Sequence, residues 1–223
     1  HEASILSYLS NKHSFLKCPK LIYTNHRNII IESAVPGKEL DLFTIDEQNS
    51  HFVMQSILRN IARLQEVELE GFGIECLKLD WKSFLYNKME TYEREIANIY
   101  DFDIDIFKPI IDFEYRIFED IIKKPSMVLL HNDLNASNIF YDDKSKIVSF
   151  IDFERWIIGD PIKEFSKLIW IFMKNKHMQK AFYAFNSNFL LDNGDILLLK
   201  AYFYFDILFH FSLYNKIKNI GDW

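Results

Sequence analysis

The apolar residues of the first third of the chain alternate between helical and strand-like spacing. Residues 2–12 place their apolar positions on one helical face, which predicts a helix. The short β-rich runs at 20–24 and 28–35 predict two strands. Asp46 predicts the N-cap of a helix that continues to about residue 67. The inner face of that helix is predicted to contain Phe52, Ile57, Ile61 and Leu64.

A small β-rich segment separates two helical blocks in the rest of the chain. The first block predicts helices at 81–100 and 104–123. Short strand-like runs follow, at 127–130, 138–142 and 146–151. The polar residues between the last two runs predict a turn, and hence a β-hairpin.

The second helical block is predicted to begin at Asp160-Pro161. An Asp side chain caps a helix, and Pro suits the first helical position because its missing N–H needs no partner there. The chain then has a helical pattern to its end. Its most apolar run, 196–214, contains Lys200, Asp206 and His210. These polar groups favour a buried core helix over a membrane span.

Composition favours a mainly helical chain with a sizeable core. Hydrophobic residues make up 49% of the chain, whereas Gly and Pro number only six and five. The net charge of −6 argues against nucleic-acid binding, which needs basic surface. Residues 80–122 contain 11 acidic and 5 basic residues, a difference of −6. This excess indicates either a solvated helix face or a surface for a cationic ligand.

Cysteine content and the N-terminal residues indicate a reducing compartment. Cys18 and Cys76 have no motif spacing and are predicted to be free thiols. Residues 1–20 lack the charged and apolar regions of a signal peptide. We therefore expect a cytoplasmic location, and nothing in the sequence suggests an assembly beyond a monomer.

Three polar side chains around the predicted hairpin form the candidate chemistry. Asp133 lies in the loop before the hairpin, Asn138 begins its first strand, and Asp152 follows its second strand. Antiparallel pairing would bring Asp152 back beside Asn138. Each residue alone could have an ordinary capping or turn role. Together they supply a carboxylate base and hard oxygen ligands for Mg²⁺, which phosphoryl transfer requires.

The motifs HNDLNASN, IDFE and GDPIKEF, found in that order between His131 and Phe165, resemble those of the aminoglycoside phosphotransferase family. The segment IIIESAVPGKEL resembles that family's strand and hinge. The resemblance implies an α+β, protein-kinase-like fold with a mostly helical C-terminal lobe and a small hairpin at the active site. It also implies that residues 1–35 are part of the N-terminal nucleotide-binding lobe and that 36–223 form the catalytic lobe.

The resemblance also implies roles for individual residues. Asp133 would be the catalytic base, and Asn138 and Asp152 would hold Mg²⁺. The purine of ATP or GTP would bond backbone groups near Glu32 and Ala34. His131, Asp160 and Glu2 would support the site, with Glu2 in the helix that carries the family's lysine partner. Glu154 would face the substrate or, alternatively, form a surface pair with Arg155.

Two features of the sequence differ from those of a complete family member or of a protein kinase. The family's phosphate-covering loop and strand lysine are not visible, so we expect an N-terminal lobe that is only partly present and a truncated chain. Only seven residues separate Asp152 from Asp160, which leaves no room for the activation loop of a protein kinase.

The first hypothesis is a Mg²⁺-dependent transfer of the nucleotide γ-phosphate to a hydroxyl of an aminoglycoside antibiotic, consistent with a role in resistance. The substrate would be small, cationic and hydroxylated. A kinase for choline, a sugar amine or another metabolite is an alternative. A catalytically inactive nucleotide-binding protein is another.

Overall fold

The computed structural model describes residues 2–12, 16–25, 29–68, 80–99, 103–120, 127–189 and 191–220. The chain divides into two compact units. The first comprises residues 1–70 and 127–191, and the second comprises residues 71–126 and 192–223. The predicted boundary near residue 35 separates a nucleotide-binding lobe from a catalytic lobe. It is a different division of the chain and stays a prediction.

The first unit begins with a helix and a two-stranded antiparallel sheet. Helix α1 spans Glu2–Lys12, and strands β1 and β2 span Leu21–Thr24 and Ile30–Glu32. These elements confirm the predicted order. The apolar face of α1 is fully buried, and the helix contacts β1 and residues 153–155. Burial of this face therefore fixes the first turn of α1 close to the end of the predicted hairpin.

Helix α2 spans Glu47–Gln65, and the Asp46 side chain accepts a hydrogen bond from the Asn49 N–H at 2.8 Å, which confirms the predicted cap. Its buried apolar residues are Val53, Met54, Ile57, Leu58, Ile61 and Leu64. The placement of Phe52 on the inner face was wrong, because this side chain is 46% exposed. Phe52 precedes Ile57 by five residues, which puts it about 140° around a helix of 3.6 residues per turn.

Two small antiparallel sheets hold the predicted loop and hairpin. Strands β3 (Lys38–Glu39), β5 (Ile139–Asp142) and β6 (Ile147–Phe150) form one sheet in that order. Strand β4 (Val128–Leu130) pairs with β7 (Ile157–Gly159) in the other. The sequence predicted β4, β5 and β6. It missed β3 and β7, which have only two and three residues.

The first unit closes with two helices joined at one residue. Helix α5 spans Pro161–Lys174 and α6 spans Lys176–Phe189. Asp160 Oδ1 accepts a hydrogen bond from the Ile162 N–H at 2.8 Å, which confirms the predicted helix start. The buried face of α5 includes polar side chains as well as apolar ones. This face lies behind the predicted loop, because α5 contacts β4.

The second unit contains three α-helices in its described part: α3 (Trp81–Ala97), α4 (Lys108–Asp120) and α7 (Asn193–Ile220). The predicted helix ends at Tyr100 and Lys123 lie outside the described residues, as does Cys76. Aromatic side chains join the helices; for example, Trp81 Nε1 donates to the Tyr202 hydroxyl at 2.8 Å. Residues 193–213 of α7 are long and apolar enough to cross a membrane by length and composition, and 39% of the most apolar window is buried. Helix α7 contacts α3 and α4 through this buried part.

Candidate active site

The hairpin brings Asn138 and Asp152 to the same end of the first unit. Its antiparallel register pairs Ile139 with Phe150. The Ile151 N–H then donates to the Asn138 carbonyl at 3.0 Å, which extends the pairing by one residue. Asp152 follows directly. The hairpin thus brings the backbones of Asn138 and Asp152 close together.

A short polar loop places Asp133 beside Asn138. The Asn138 side-chain amide donates to the Asp133 carbonyl at 2.9 Å and lies 3.4 Å from Asp133 Oδ2. Asn135 caps the 3₁₀ turn at 136–138 by accepting from the Ser137 and Asn138 N–H groups. With its nitrogen committed to Asp133, the Asn138 side chain has its Oδ1 as the atom that could bind a metal.

Asp152 adopts a left-handed backbone conformation at the end of the hairpin. Its φ and ψ angles are 61° and 70°, a region that few residues other than glycine occupy. It caps a 3₁₀ turn at 153–155, where its Oδ1 lies 3.5 Å from the Glu154 nitrogen. Strained backbone of this kind is concentrated at functional sites.

His131 contacts the loop from its buried side, and its role in supporting the site stays a prediction. Its ring is fully buried and lies 4.5 Å from the Phe153 ring, between centroids. Its Nε2 lies 2.8 Å from the Ile151 carbonyl, so this nitrogen donates. Burial lowers the pKa of His131 to about 4, so the ring is neutral at physiological pH.

Two carboxyl groups from distant parts of the first unit approach Asp152. Glu2 Oε1 accepts a hydrogen bond from the Phe153 N–H at 3.0 Å. Burial raises the pKa of Glu2, and the nearby charges of Asp152 and Glu154 raise it further. Burial also raises the pKa of Glu32, with added effects from Glu2 and Asp152. The Glu32 carboxyl therefore interacts electrostatically with the site, although the sequence predicted only backbone contacts near this residue.

The predicted residues Ala34 and Glu154 lie at the surface of the first unit. Ala34 is exposed just beyond β2. Glu154 is also exposed, and its Oε1 lies 3.8 Å from Arg155 Nε, as in the surface-pair alternative. Arg155 Nε is equally close to Asp133, with a distance of 3.7 Å to Oδ2. The sequence did not identify this approach of a guanidinium to the candidate base.

Glu164 contacts the loop in a way that the sequence analysis missed. Its Oε2 accepts from the His131 N–H at 2.5 Å, and its Oε1 accepts from the Asn132 N–H at 3.1 Å. Burial raises the pKa of Glu164 to about 7, and these two hydrogen bonds together with Lys163 and Lys167 oppose the rise. The motif GDPIKEF contained a sequence signal for this contact, because its Glu164 occupies a position on the buried face of α5.

The donor set fits a hard divalent cation. Asn138 and Asp152 offer oxygen atoms, which Mg²⁺ prefers, and Mg²⁺ usually takes only one or two protein ligands. Within the described ranges, no group of three or more His, Cys, Asp or Glu side chains is arranged to hold a metal by itself. Such a site suits a cation that arrives with phosphate and water ligands rather than one held in an all-protein cage.

Comparisons with known proteins show which family and which fold this chain resembles. A family model described as "APH: Phosphotransferase enzyme family" matches residues 1–189. A comparison with curated proteins found no match.

Solved structures of similar fold include the apo form of a thermostable mutant of aminoglycoside phosphotransferase APH(4)-Ia. It has a TM-score of 0.74 at 15% identity, and the alignment covers 97% of this chain and 77% of that one. The GDP and kanamycin complex of APH(2")-IIia has a TM-score of 0.70 at 16% identity, with coverages of 99% and 75%. APH(3'')-Id from Streptomyces rimosus has a TM-score of 0.68 at 18% identity, with coverages of 93% and 79%. At these identities the likeness concerns the fold.

Proposed function

Because the chain belongs to the phosphotransferase enzyme family and has the kinase-like fold of aminoglycoside phosphotransferases, we propose that it transfers the γ-phosphate of a nucleotide to a hydroxyl group of an aminoglycoside. One observation carries the proposal. Asp133 and Asn138 are hydrogen-bonded within one loop, and the hairpin brings Asp152 to the same place. These are the groups that phosphoryl transfer needs from a protein.

Each of the three residues has a distinct chemical task in this proposal. Asp133 accepts the proton of the attacking hydroxyl, and its side chain is partly exposed. Asn138 and Asp152 would hold Mg²⁺, which would supply positive charge to offset the negative charge that develops during phosphoryl transfer. His131, neutral and buried, keeps the loop against the hairpin.

The nucleotide is proposed to be ATP or GTP. Structures of similar fold have been solved with ADP and with GDP, which supports nucleotide binding by this fold. The purine would bond backbone groups near Glu32 and Ala34, at the exposed end of β2. The Glu32 carboxyl lies within electrostatic reach of Asp152, so bound Mg²⁺ would lower the cost of keeping it charged.

The acceptor is proposed to be small, cationic and hydroxylated. Similar structures contain hygromycin B, kanamycin or streptomycin. The acidic excess in the sequence of residues 80–122 supports a cation of this type, because negative charge attracts ammonium groups.

Phosphate transfer by the protein tests the proposal. ATP or GTP with Mg²⁺ would be supplied with hygromycin B, kanamycin or streptomycin, and with choline and glucosamine as other acceptors. The product would be followed by phosphorus NMR. Transfer to an aminoglycoside is the expected result. Transfer to choline or glucosamine alone would replace the proposed substrate, and no transfer to any acceptor would contradict the reaction.

Asp133→Ala is the informative variant for the same assay. We expect transfer to fall by about 10²- to 10⁴-fold, the usual contribution of a general base. Nucleotide affinity, measured by calorimetry, should stay within about twofold, because the variant leaves Asn138 and Asp152 in place. Near-normal transfer would remove Asp133 from its role as base.

A further inference from the structure

Asn135 lies two residues after the candidate base, and we propose that it is a positioning residue whose side-chain amide sets the direction of the Asp133 carboxylate. The inference rests on the proposed role of Asp133 as the base that accepts the proton of the attacking hydroxyl. It gives a second task to a side chain that also caps the 3₁₀ turn at 136–138.

The orientation of the Asn135 amide follows from the groups that donate to it. The N–H groups of Ser137 and Asn138 donate to one atom of this side chain at 2.9 and 3.2 Å, and the Ser137 hydroxyl contacts the same atom. A backbone N–H can only donate, so that atom is the carbonyl oxygen Oδ1. The other terminal atom is therefore the nitrogen of the NH₂ group, and it lies 3.5 Å from Asp133 Oδ1.

The two oxygens of the Asp133 carboxylate have different neighbours. Oδ2 has the Asn138 amide nitrogen at 3.4 Å and Arg155 Nε at 3.7 Å. Among the described residues, Oδ1 has the Asn135 amide nitrogen as its one hydrogen-bond partner. The two amides thus contact different oxygens, and together they restrict rotation of the carboxylate about its Cβ–Cγ bond. Removal of the Asn135 amide would release one of the two oxygens.

The contact from Asn135 is long, which suits a neighbour of a group that must accept a proton. A donor at 3.5 Å is at the far end of hydrogen-bond distances. Such a donor directs the carboxylate without binding its oxygen tightly, so a substrate hydroxyl can still donate to the same oxygen. The amide is also uncharged, so it does not neutralise the carboxylate as a closely bound guanidinium would.

The backbone keeps Asn135 within reach of the base. The Asn135 N–H donates to the Asp133 carbonyl at 2.8 Å, which folds the residue between them into a tight turn. That residue, Leu134, is fully buried and anchors the turn. The Asn138 N–H then donates to the Asn135 carbonyl at 3.1 Å. Asn135 is therefore bound on both sides by the short loop that joins Asp133 to Asn138.

Asn135→Ser separates the two tasks of this side chain. Serine is about as good a cap as asparagine, so an oxygen remains for the Ser137 and Asn138 N–H groups. The NH₂ group is lost. In a crystal structure of the variant, we expect the turn at 136–138 to be unchanged and the Asp133 carboxylate to lose the direction that it has in the unmodified protein. If Asn135→Ser does not fold, Asn135→Asp also keeps a capping oxygen and lacks the NH₂ group.

Kinetics then separate positioning from a general loss of structure. Asn135→Ser is expected to lower kcat by about 10- to 100-fold, since a small misplacement of a catalytic group can cost about 10². The KM for the nucleotide should change less than about threefold. The matched control is Ser137→Ala, which removes a donor to the same Asn135 oxygen but leaves the amide beside Asp133. Its kcat should stay within about twofold of that of the unmodified protein.

A double variant tests whether Asn135 acts through the base. In an Asp133→Ala background, Asn135→Ser should lower kcat no further, because the residue that it positions has already been removed. An equal loss in both backgrounds would contradict the inference.

The outcomes distinguish this inference from the proposed function. The same direction of the Asp133 carboxylate in the unmodified protein and in Asn135→Ser would overturn the inference, whatever the activity. Absence of transfer by the unmodified protein would count against the proposed function, and the two crystal structures would still decide whether Asn135 directs Asp133.

Discussion

Glu114 in the second unit has a carboxyl group that is buried without a hydrogen bond to any described residue. Both carboxyl oxygens lack a hydrogen-bond partner within the described part of the chain. Burial, together with the negative charges of Glu93 and Asp206, raises the pKa of Glu114 to about 9. The group therefore stays protonated at neutral pH in the folded protein, whereas it ionises in the unfolded chain near its ordinary value of 4.5.

This difference predicts that stability falls as pH rises. Between pH 4.5 and about 9 the folded state holds one more proton at Glu114 than the unfolded state. The free energy of unfolding should therefore decrease by up to about 1.4 kcal/mol per pH unit from this group. Glu114→Gln should remove that slope. Urea unfolding of both proteins at several pH values measures it, and parallel curves from pH 5 to 8 would contradict the prediction.

At the scale of elements, Asn175 joins α5, α6 and the segment before α2. It is buried, and its Oδ1 accepts from the His177 and Met178 N–H groups at 2.8 and 3.0 Å, which caps α6. Its amide nitrogen donates to the carbonyls of Leu42 and Ile45 at 2.6 and 3.1 Å. One side chain therefore satisfies four backbone groups.

Asn175→Ala should destabilise the protein by about 2 kcal/mol or more. Loss of a helix cap typically costs about 1 kcal/mol, and buried carbonyls without donors add to it. Thermal unfolding would be compared with that of Asn87→Ala, an exposed position in α3 where the change should stay within about 0.5 kcal/mol. Equal melting temperatures for the two variants would show that the junction contributes little.

At the scale of the whole molecule, a net charge of −6 should influence capture of a cationic substrate. Attraction between an acidic surface and ammonium groups is screened by salt, with a Debye length of about 10 Å at 0.1 M. The dissociation constant for kanamycin should therefore rise at least about fivefold between 50 and 500 mM NaCl. Calorimetry measures it, with glucose as an uncharged control. An affinity independent of salt would contradict the charge argument.

The sequence by itself determined the features that depend on nearby residues. Asp133, Asn138 and Asp152 lie within a span of 20 residues. A turn and the two-residue period of antiparallel strands are enough to bring the ends of a hairpin together. The caps at Asp46 and Asp160 are equally local, because a capping side chain bonds an N–H two or three residues away. Motif spacing also indicated the family and its fold.

Only the tertiary structure decided the contacts between distant residues. Glu2 bonds the N–H of Phe153, 151 residues later, and Glu164 reaches His131 across 33 residues. The periodicity of a helix tells which residues share a face, but not what that face meets. Phe52 illustrates the same limit, because a large apolar side chain was assigned inwards by type and the packing of α2 left it exposed. Such contacts depend on which faces pack together, and that choice is made by the fold as a whole.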